Sequence, residues 1–241
     1  MAFNKILILV RGDVDLSDYF KMGEIISKNI DVSKDVHISE GVLDELDHAS
    51  DKSCYGGKIC FDASNKVSSE VNLNYEKVLV WKEMTINKKN EIPGINTDLV
   101  KSNIAVAIIG VNKKENIDNL IQEVVDDAGD TGIKFLIFVE NSIDIYDYSM
   151  LTWIVSANID PKRDCNIYSE IGILSVDATR KIYKGDQYNN LWPNIVCMDE
   201  KTIDSIDNLR KKIENVEIPD SPSKKLKNLN LNEGAVAEKQ A

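Results

Sequence analysis

Asp13, Asp15, Ser17 and Glu24 fall at positions 1, 3, 5 and 12 of a calcium-loop pattern, a spacing that turns oxygen ligands toward one cation. The pattern breaks at position six, where Asp18 stands in place of the glycine that the sharp turn requires. Gly56-Gly57-Lys58 offers backbone N–H groups and an ammonium, the materials of a phosphate loop, but GxxxxGK followed by Ser or Thr is absent and no GxGxxG occurs. The two histidines, His37 and His48, lack metal-type partner spacing. His48 follows Asp47, and an ordinary exposed loop histidine accounts for it. The four cysteines, Cys54, Cys60, Cys165 and Cys197, form no CxxC pair, so structural zinc is unsupported and reduced thiols are expected. No Ser-His-Asp set and no facing pair of carboxylates follows from spacing. The residues alone give no catalytic constellation.

The elements that would position these residues come in two copies. Residues 5–35 align without a gap on residues 134–164 at a constant offset of 129, with thirteen identities that include Lys5, Asp15, Asp18, Asn29, Asp31 and Asp35. Each copy reads as an apolar strand, an acidic turn and an amphipathic helix. The continuous apolar runs "KILILV" and "KFLIFV" suit strands covered on both faces. The second copy lacks the calcium pattern, having Ser142 and Trp153 at its first and last ligand places. The shared Asp residues are therefore expected to be helix caps, with Asp15 or Ser17 capping a helix that begins near Asp18.

Further along, residues 43–66 read as a long ordered loop centred on Gly56-Gly57. "KVLVWKEM" reads as a strand, as do "VHIS", "NIAVAIIGV", "CNIYS" and "LSVDATRKI". Residues 115–129 carry apolar side chains at helical spacing with Gly129 as a stop, and another helix begins near Asp199 or Thr202. The expected fold class is α/β: two similar α/β lobes with mostly parallel sheets, from a tandem internal repeat. The lobes are drawn at residues 1–100 and 101–216, with a disordered tail at 217–241 that holds prolines, lysines and asparagines.

Hydrophobic residues make up 43% of 241, enough for a core. A formal charge of -11 disfavours nucleic acid and anionic membrane surfaces as partners. No stretch approaches the roughly 20 apolar residues of a membrane helix, and the N-terminal apolar run is too short for an export signal. A soluble, cytoplasmic protein is expected.

Several ordered motifs resemble the C-terminal domain of UbiD-type decarboxylases. "ILILVRGDVDLSDY" is similar to that family's "FxKfvivvDdDVdvrD", carried here by Lys5, Asp13, Asp15 and Asp18. Asp31, Lys34 and Asp35 match "DPxRD", and Leu43, Asp44, Asp47, Ala49 and Ser50 match "LDxxDxAS". Gly57, Lys58, Asp62, Ala63, Asn65 and Lys66 match "GsKmGiDATnK". The second copy matches with "DPKRD" at 160–164 and "VDATRK" at 176–181. Arg11 and Gly12 depart from the acidic residues usual in the first turn, and Ser64 stands for the usual Thr. The doubled form is similar to the longer, menaquinone-associated members, and the resemblance covers residues 1–216.

The resemblance implies non-oxidative decarboxylation of an aromatic acid in quinone (menaquinone or ubiquinone) biosynthesis, supported by prenylated FMN with a divalent metal (Mn or Mg) and potassium. It also implies that these groups and the catalytic carboxylates lie mainly on an N-terminal catalytic portion outside this stretch, so that Met1 is an internal methionine or the start of a split-gene product. The C-terminal region's implied share is scaffold, lid and homo-oligomer contact. Lys5, just before the first strand, is the implied candidate for contact to the flavin phosphate; the alternative is an ordinary strand-flanking lysine, the place that Lys134 takes in the second copy. The alternative is a stand-alone, non-catalytic oligomerisation or interaction module. A nucleotide-binding α/β enzyme is a third class, without motif support.

Overall fold

The computed structural model describes residues 3–64, 85–88, 90–213, 221 and 223–237. Within them the first copy forms β1 (Ile6–Leu9), α1 (Tyr19–Asn29), α2 (Val32–Asp35), β2 (Val36–Val42) and β3 (Tyr55–Asp62). Then come β4 (Gly94–Asn96), α3 (Asp98–Lys101), β5 (Val106–Val111) and α4 (Asp118–Ala128). The second copy follows as β6 (Phe135–Glu140), α5 (Tyr148–Asn158), α6 (Pro161–Asp164), β7 (Cys165–Tyr168) and β8 (Ile173–Asp177), and then α7 (Glu200–Arg210) and α8 (Ser223–Leu226).

The shared residues explain why both copies fold alike. Asp18 and Asp147 cap α1 and α5, accepting from the backbone N–H of Lys21 and Met150. The expected caps, Asp15 and Ser17, lie three residues and one residue before the observed cap; Asp15 instead accepts from Ser17 N. Asp31 caps α2 and Asp160 caps α6, while Asp35 and Asp164 reach back to accept from the backbone N–H of Asp31 and Asp160, each at 2.7 Å. Each short helix is thus closed by two carboxylates satisfying free donors reciprocally. Asn29 and Asn158 donate to the carbonyls of Ala63 and Ala178, tying each long helix to the end of a strand.

Among the described residues, one sheet has the order β1-β3-β2 and the other β4-β5-β6-β8-β7. Both are mixed, which corrects the expectation of mostly parallel sheets. β1–β3, β5–β6 and β6–β8 are parallel; β2–β3, β4–β5 and β7–β8 are antiparallel. The cause is loop length. β7 and β8 are separated only by residues 169–172, too few for the crossover that a parallel pair needs.

Three further expectations change. Residues 43–66 are not one long loop, because β3 runs through them and Gly56-Gly57 sits in that strand. The glycines mark a close backbone approach rather than a turn: a Cβ on Gly57 would stand 2.1 Å from Asp160 Oδ1 and 2.3 Å from Lys162 N. Among the described residues β1 is an edge strand, with Leu9 41% exposed, and so is not covered on both faces there. β4, on the first-lobe side of the boundary at residue 100, pairs with β5 in the second sheet. "KVLVWKEM" lies outside the described residues.

The copies dock reciprocally. α6 packs on β2 and β3, and α2 packs on β7 and β8. Gly57 N donates to Asp160 Oδ1, Arg163 to Ala49 O, and Lys134 Nζ to the carbonyls of Ser27 and Ile30. One apolar cluster, including Ile30, Val32 and Ile59 with Ile159, Cys165 and Val176, fills the junction. A second lies between α4 and the larger sheet. Residues 223–237 fall in the stretch expected to be a disordered tail. In the structure they form α8 and a 3-10 turn (Lys227–Leu229), bridge Val236 to Pro193 and bury Ala237.

Candidate functional site

Both copies open a crevice at the carboxyl end of the first strand, where it turns into the long helix. In open α/β sheets this is the usual place for ligands. The crevice beside β6 has a volume of about 350 Å³. Glu140, Ser142 and Ile143 supply its floor, and Trp153, Ile154, Ala157 and Asn158 of α5 one wall. His48 reaches in from the first copy, and Trp192, Ile195, Leu226 and Leu229 close the outer side. Its counterpart beside β1, about 280 Å³, is lined by Arg11, Asp13, Val14, Asp15, Lys21, Ile25 and Ala63.

Three polar groups of the second crevice, Glu140, Arg180 and His48, are already oriented. Arg180 Nε donates to Glu140 Oε1 at 2.7 Å, and its Nη1 donates to Leu229 O at 2.8 Å. The guanidinium thus ties β6, the strand-end loop and the C-terminal segment together. His48 stands edge-on to Trp192 at 4.9 Å between ring centroids. Tyr188 donates to its backbone carbonyl at 2.6 Å. Burial, with help from the Lys5 ammonium, holds the imidazole below its ordinary 6.5, against the opposing pull of Asp47 and a hydrogen bond with Asn158. His48 is therefore a neutral ring at pH 7. A crevice with two indoles and a neutral imidazole suits a planar group.

Behind it lies a buried ionic network. Lys113 Nζ pairs with Asp186 Oδ1 at 2.7 Å and donates to Thr179 Oγ1 and Arg180 O. Lys181 sits 3.4 Å from Asp164 and 3.3 Å from Asp177. Burial alone would raise the Asp177 carboxyl; Lys181, Lys113 and the Thr179 donors outweigh it and hold the group below its ordinary 3.8. Burial pushes the Cys165 thiol up, so it remains an uncharged apolar filler.

The residues singled out by sequence land apart from one another. Asp13 pairs with Arg11, Asp15 with Ser17 and Glu24 with Lys21, so no common cation centre forms. Among the described residues no three His, Cys, Asp or Glu side chains gather as a metal set. Gly56-Gly57-Lys58 lies along a strand, and Lys58 donates to Asn4 O. Lys5 Nζ meets Asp47 Oδ2 at 2.7 Å, both side chains 11% exposed. Asp47 also accepts from Ala49 N, so the "LDxxDxAS" motif serves as an anchor for β1. Asn65 and Lys66 lie outside the described residues. Sequence reasoning missed Glu140, Arg180, Trp153 and Trp192. The only signal for them was their departure from the first copy or their place beside the "DAT" motif.

Comparison with known proteins adds an independent line. The family model described as the 3-octaprenyl-4-hydroxybenzoate carboxy-lyase C-terminal domain matches residues 1–63 and 92–186. Uncharacterised proteins from two strains of Helicobacter pylori are each 30% identical over 217 residues, covering 88% of this chain and 33% of the relative. One from Archaeoglobus fulgidus is 25% identical over 145 residues, covering 52% of this chain and 30% of its own length. The chain thus spans about a third of the length of the curated relatives it matches. An evolved dimeric form of the UbiD-class enzyme HmfF from Pelotomaculum thermopropionicum, in complex with prFMN, aligns at 19% identity over 52% of this chain and 27% of that one, with a TM-score of 0.37. The closed form of vanillic acid decarboxylase from Sedimentibacter hydroxybenzoicus aligns at 13% identity over 75% and 45%, with a TM-score of 0.40.

Proposed function

From the premise that the chain belongs to the UbiD carboxy-lyase family, as its C-terminal domain, we propose that it is the scaffold and cover of a decarboxylase whose reacting centre lies on further polypeptide. The observation that carries this reading is the family match itself, which falls on the capped strand–helix units of both copies. The substrate in this reading is an aromatic acid of quinone biosynthesis, and the compartment is the cytoplasm. Among the described residues no helix is long and apolar enough to cross a membrane.

Prenylated FMN, with a divalent metal (Mn or Mg) and potassium, would supply the electron sink for the bond that breaks as carbon dioxide leaves. The described residues do not themselves make a cradle for these groups. Lys5, the proposed contact to a flavin phosphate, is neutralised by Asp47, and no metal set gathers among the described residues. A phosphate contact at Lys5 requires Asp47 to turn away. The role left to this chain is to exclude water and hold the covering walls in place, which strengthens electrostatic interactions inside a closed site.

The test is reconstitution. The catalytic portion, produced separately and loaded with prenylated FMN, Mn²⁺ and K⁺, is assayed for carbon dioxide release from aromatic acids with and without this chain. Adding the chain is expected to raise turnover by about 100-fold, the size of effect that positioning and closure supply. Full turnover without it would overturn the reading.

One observation favours a second reading, a non-catalytic oligomerisation module. Tyr19, Phe20 and Leu16 are 80%, 62% and 61% exposed on the first copy. Light scattering separates the two: a tight homo-oligomer of this chain that neither binds nor activates the catalytic portion supports the module.

A further inference from the structure

The two copies are the same unit with different surroundings. In the second, β6 lies between two parallel partners, β8 on one edge and β5 on the other. The β5 register sets Val106, Ile108 and Gly110 opposite Phe135, Ile137 and Val139. α4 crosses from β5 to β6 and packs with Leu120, Ile121, Val124 and Val125 in one cluster with Leu136 and Phe138, both fully buried. Ile145, after β6, comes close to Gly94 and Gly110 of the flanking strands.

In the first copy β1 pairs with β3 in the register that β6 uses with β8: Leu9 faces Asp62 as Phe138 faces Asp177. Among the described residues nothing pairs with its other edge, where Ile6, Ile8 and Val10 stand in place of Phe135, Ile137 and Val139. Among the described residues no helix covers the face that α4 covers in the second copy. Leu9 is 41% exposed where Phe138 is 0%, and Leu16, the counterpart of Ile145, is 61% exposed. An open edge beside an exposed apolar face is a template for strand addition.

We propose that β1 is a docking edge for a parallel strand followed by an amphipathic helix, and that this strand–helix unit is contributed by the polypeptide corresponding to the two thirds or so of the longer relatives that this chain does not span. Its chemistry is set by the twin: a short apolar strand like β5, then a helix with apolar residues in the pattern of Ile117, Leu120, Ile121, Val124 and Val125. A second copy of this chain is the poorer occupant. A two-fold pairing of β1 with β1 would be antiparallel and would bring no helix over Leu9 and Leu16. The inference rests on the internal comparison and on the greater length of the relatives, and stands whether or not the chain serves a decarboxylase.

Hydrogen exchange at the amides of Ile6, Ile8 and Val10 tests it. One arm uses this chain with residues 103–133 duplicated ahead of Lys5, which reproduces the natural Ile133–Lys134 junction. The other mixes the unmodified chain with the part of the Helicobacter pylori relative that it does not match, made as a separate polypeptide. Exchange at these amides is expected to slow by about tenfold or more in both arms, with loss of binding of a hydrophobic dye. Leu9→Lys and Leu16→Lys, each at an exposed position, are expected to leave circular dichroism of the chain alone unchanged and to abolish the slowing. Amides already slow in the chain alone, slowing that depends only on the concentration of this chain, or no slowing in either arm would overturn the proposal.

Discussion

Side by side, the two copies show how one backbone plan supports opposite surfaces. Caps, strand register and the Asn anchors are held in common. What differs is the cover. The crevice beside β6 is walled by indoles and by the C-terminal segment, whereas the one beside β1 is open and lined by charged side chains paired with one another. The plan is fixed by residues that satisfy the backbone, and the chemistry by the residues that face the crevice. A repeat can therefore keep its fold while its two copies line their crevices with different chemistry.

The sharpest way to break this comparison is to remove the same position from each copy. Phe138→Ala opens a cavity in a fully buried cluster and is expected to cost about 3–5 kcal/mol. Leu9→Ala, at the equivalent place on an exposed edge, is expected to cost less than about 1 kcal/mol. Urea unfolding of both variants measures the difference. Equal losses would mean that β1 is as covered as β6.

Reciprocal docking of the copies gives the next largest effect. Gly57→Ala would drive a methyl into Asp160 Oδ1 and Lys162 N, both held by the α6 cap, and is expected to cost about 3 kcal/mol. Gly12→Ala, with nothing within 4 Å of the added carbon, is expected to stay within about 0.5 kcal/mol of the parent. The same urea series reads both.

How far these features were legible in the sequence follows from what kind of interaction each one is. The apolar runs of β5 and β6, the helical spacing of α4 and the shared Asp caps are local, and the pattern shows them directly. The strand through Gly56-Gly57 was hidden because a glycine pair reads as a turn. Its reason, the approach of α6, lies more than 100 residues away in sequence. The antiparallel edges depend on loop lengths and pairings that periodicity does not encode. Arg180 sits beside a recognised motif, but its partner Glu140 replaces the Arg11 of the first copy, so the pair is visible only once β6 and β8 are neighbours. Lys5 looked like a free basic residue because its partner, Asp47, is brought in by the β2–β3 connection.

The strand-end Asp is bonded locally in the same way in both copies. Asp62 and Asp177 each accept from the backbone and hydroxyl of the residue two positions on, Ser64 or Thr179. Asp177 is also enclosed with Lys181 and Lys113. Asp177→Asn is expected to cost about 2–3 kcal/mol. The pH dependence follows from the depressed carboxyl. Its contribution is complete above the unfolded value of 3.8 and is lost as pH falls through the lower folded value. Acid titration followed by tryptophan fluorescence should show the parent weakening below about pH 4 and Asp177→Asn with a shallower slope.

The smallest expected effect concerns the one group in either crevice that titrates near neutrality. The residues lining the first crevice include no such group, since Arg11, Asp13, Asp15 and Lys21 hold their charges between pH 5 and 8. His48 in the second crevice is held below 6.5, chiefly by burial. Because the unfolded chain takes up a proton at a higher pH than the folded one, stability contributed by the neutral ring is complete above about pH 6.5 and declines as pH falls toward the folded value. His48→Gln keeps a polar group near Asn158 but cannot titrate. Its urea midpoint, measured from pH 7.5 to 5, is expected to run flatter than the parent's. Parallel curves would mean that the imidazole is solvated and that the second crevice is as open as the first.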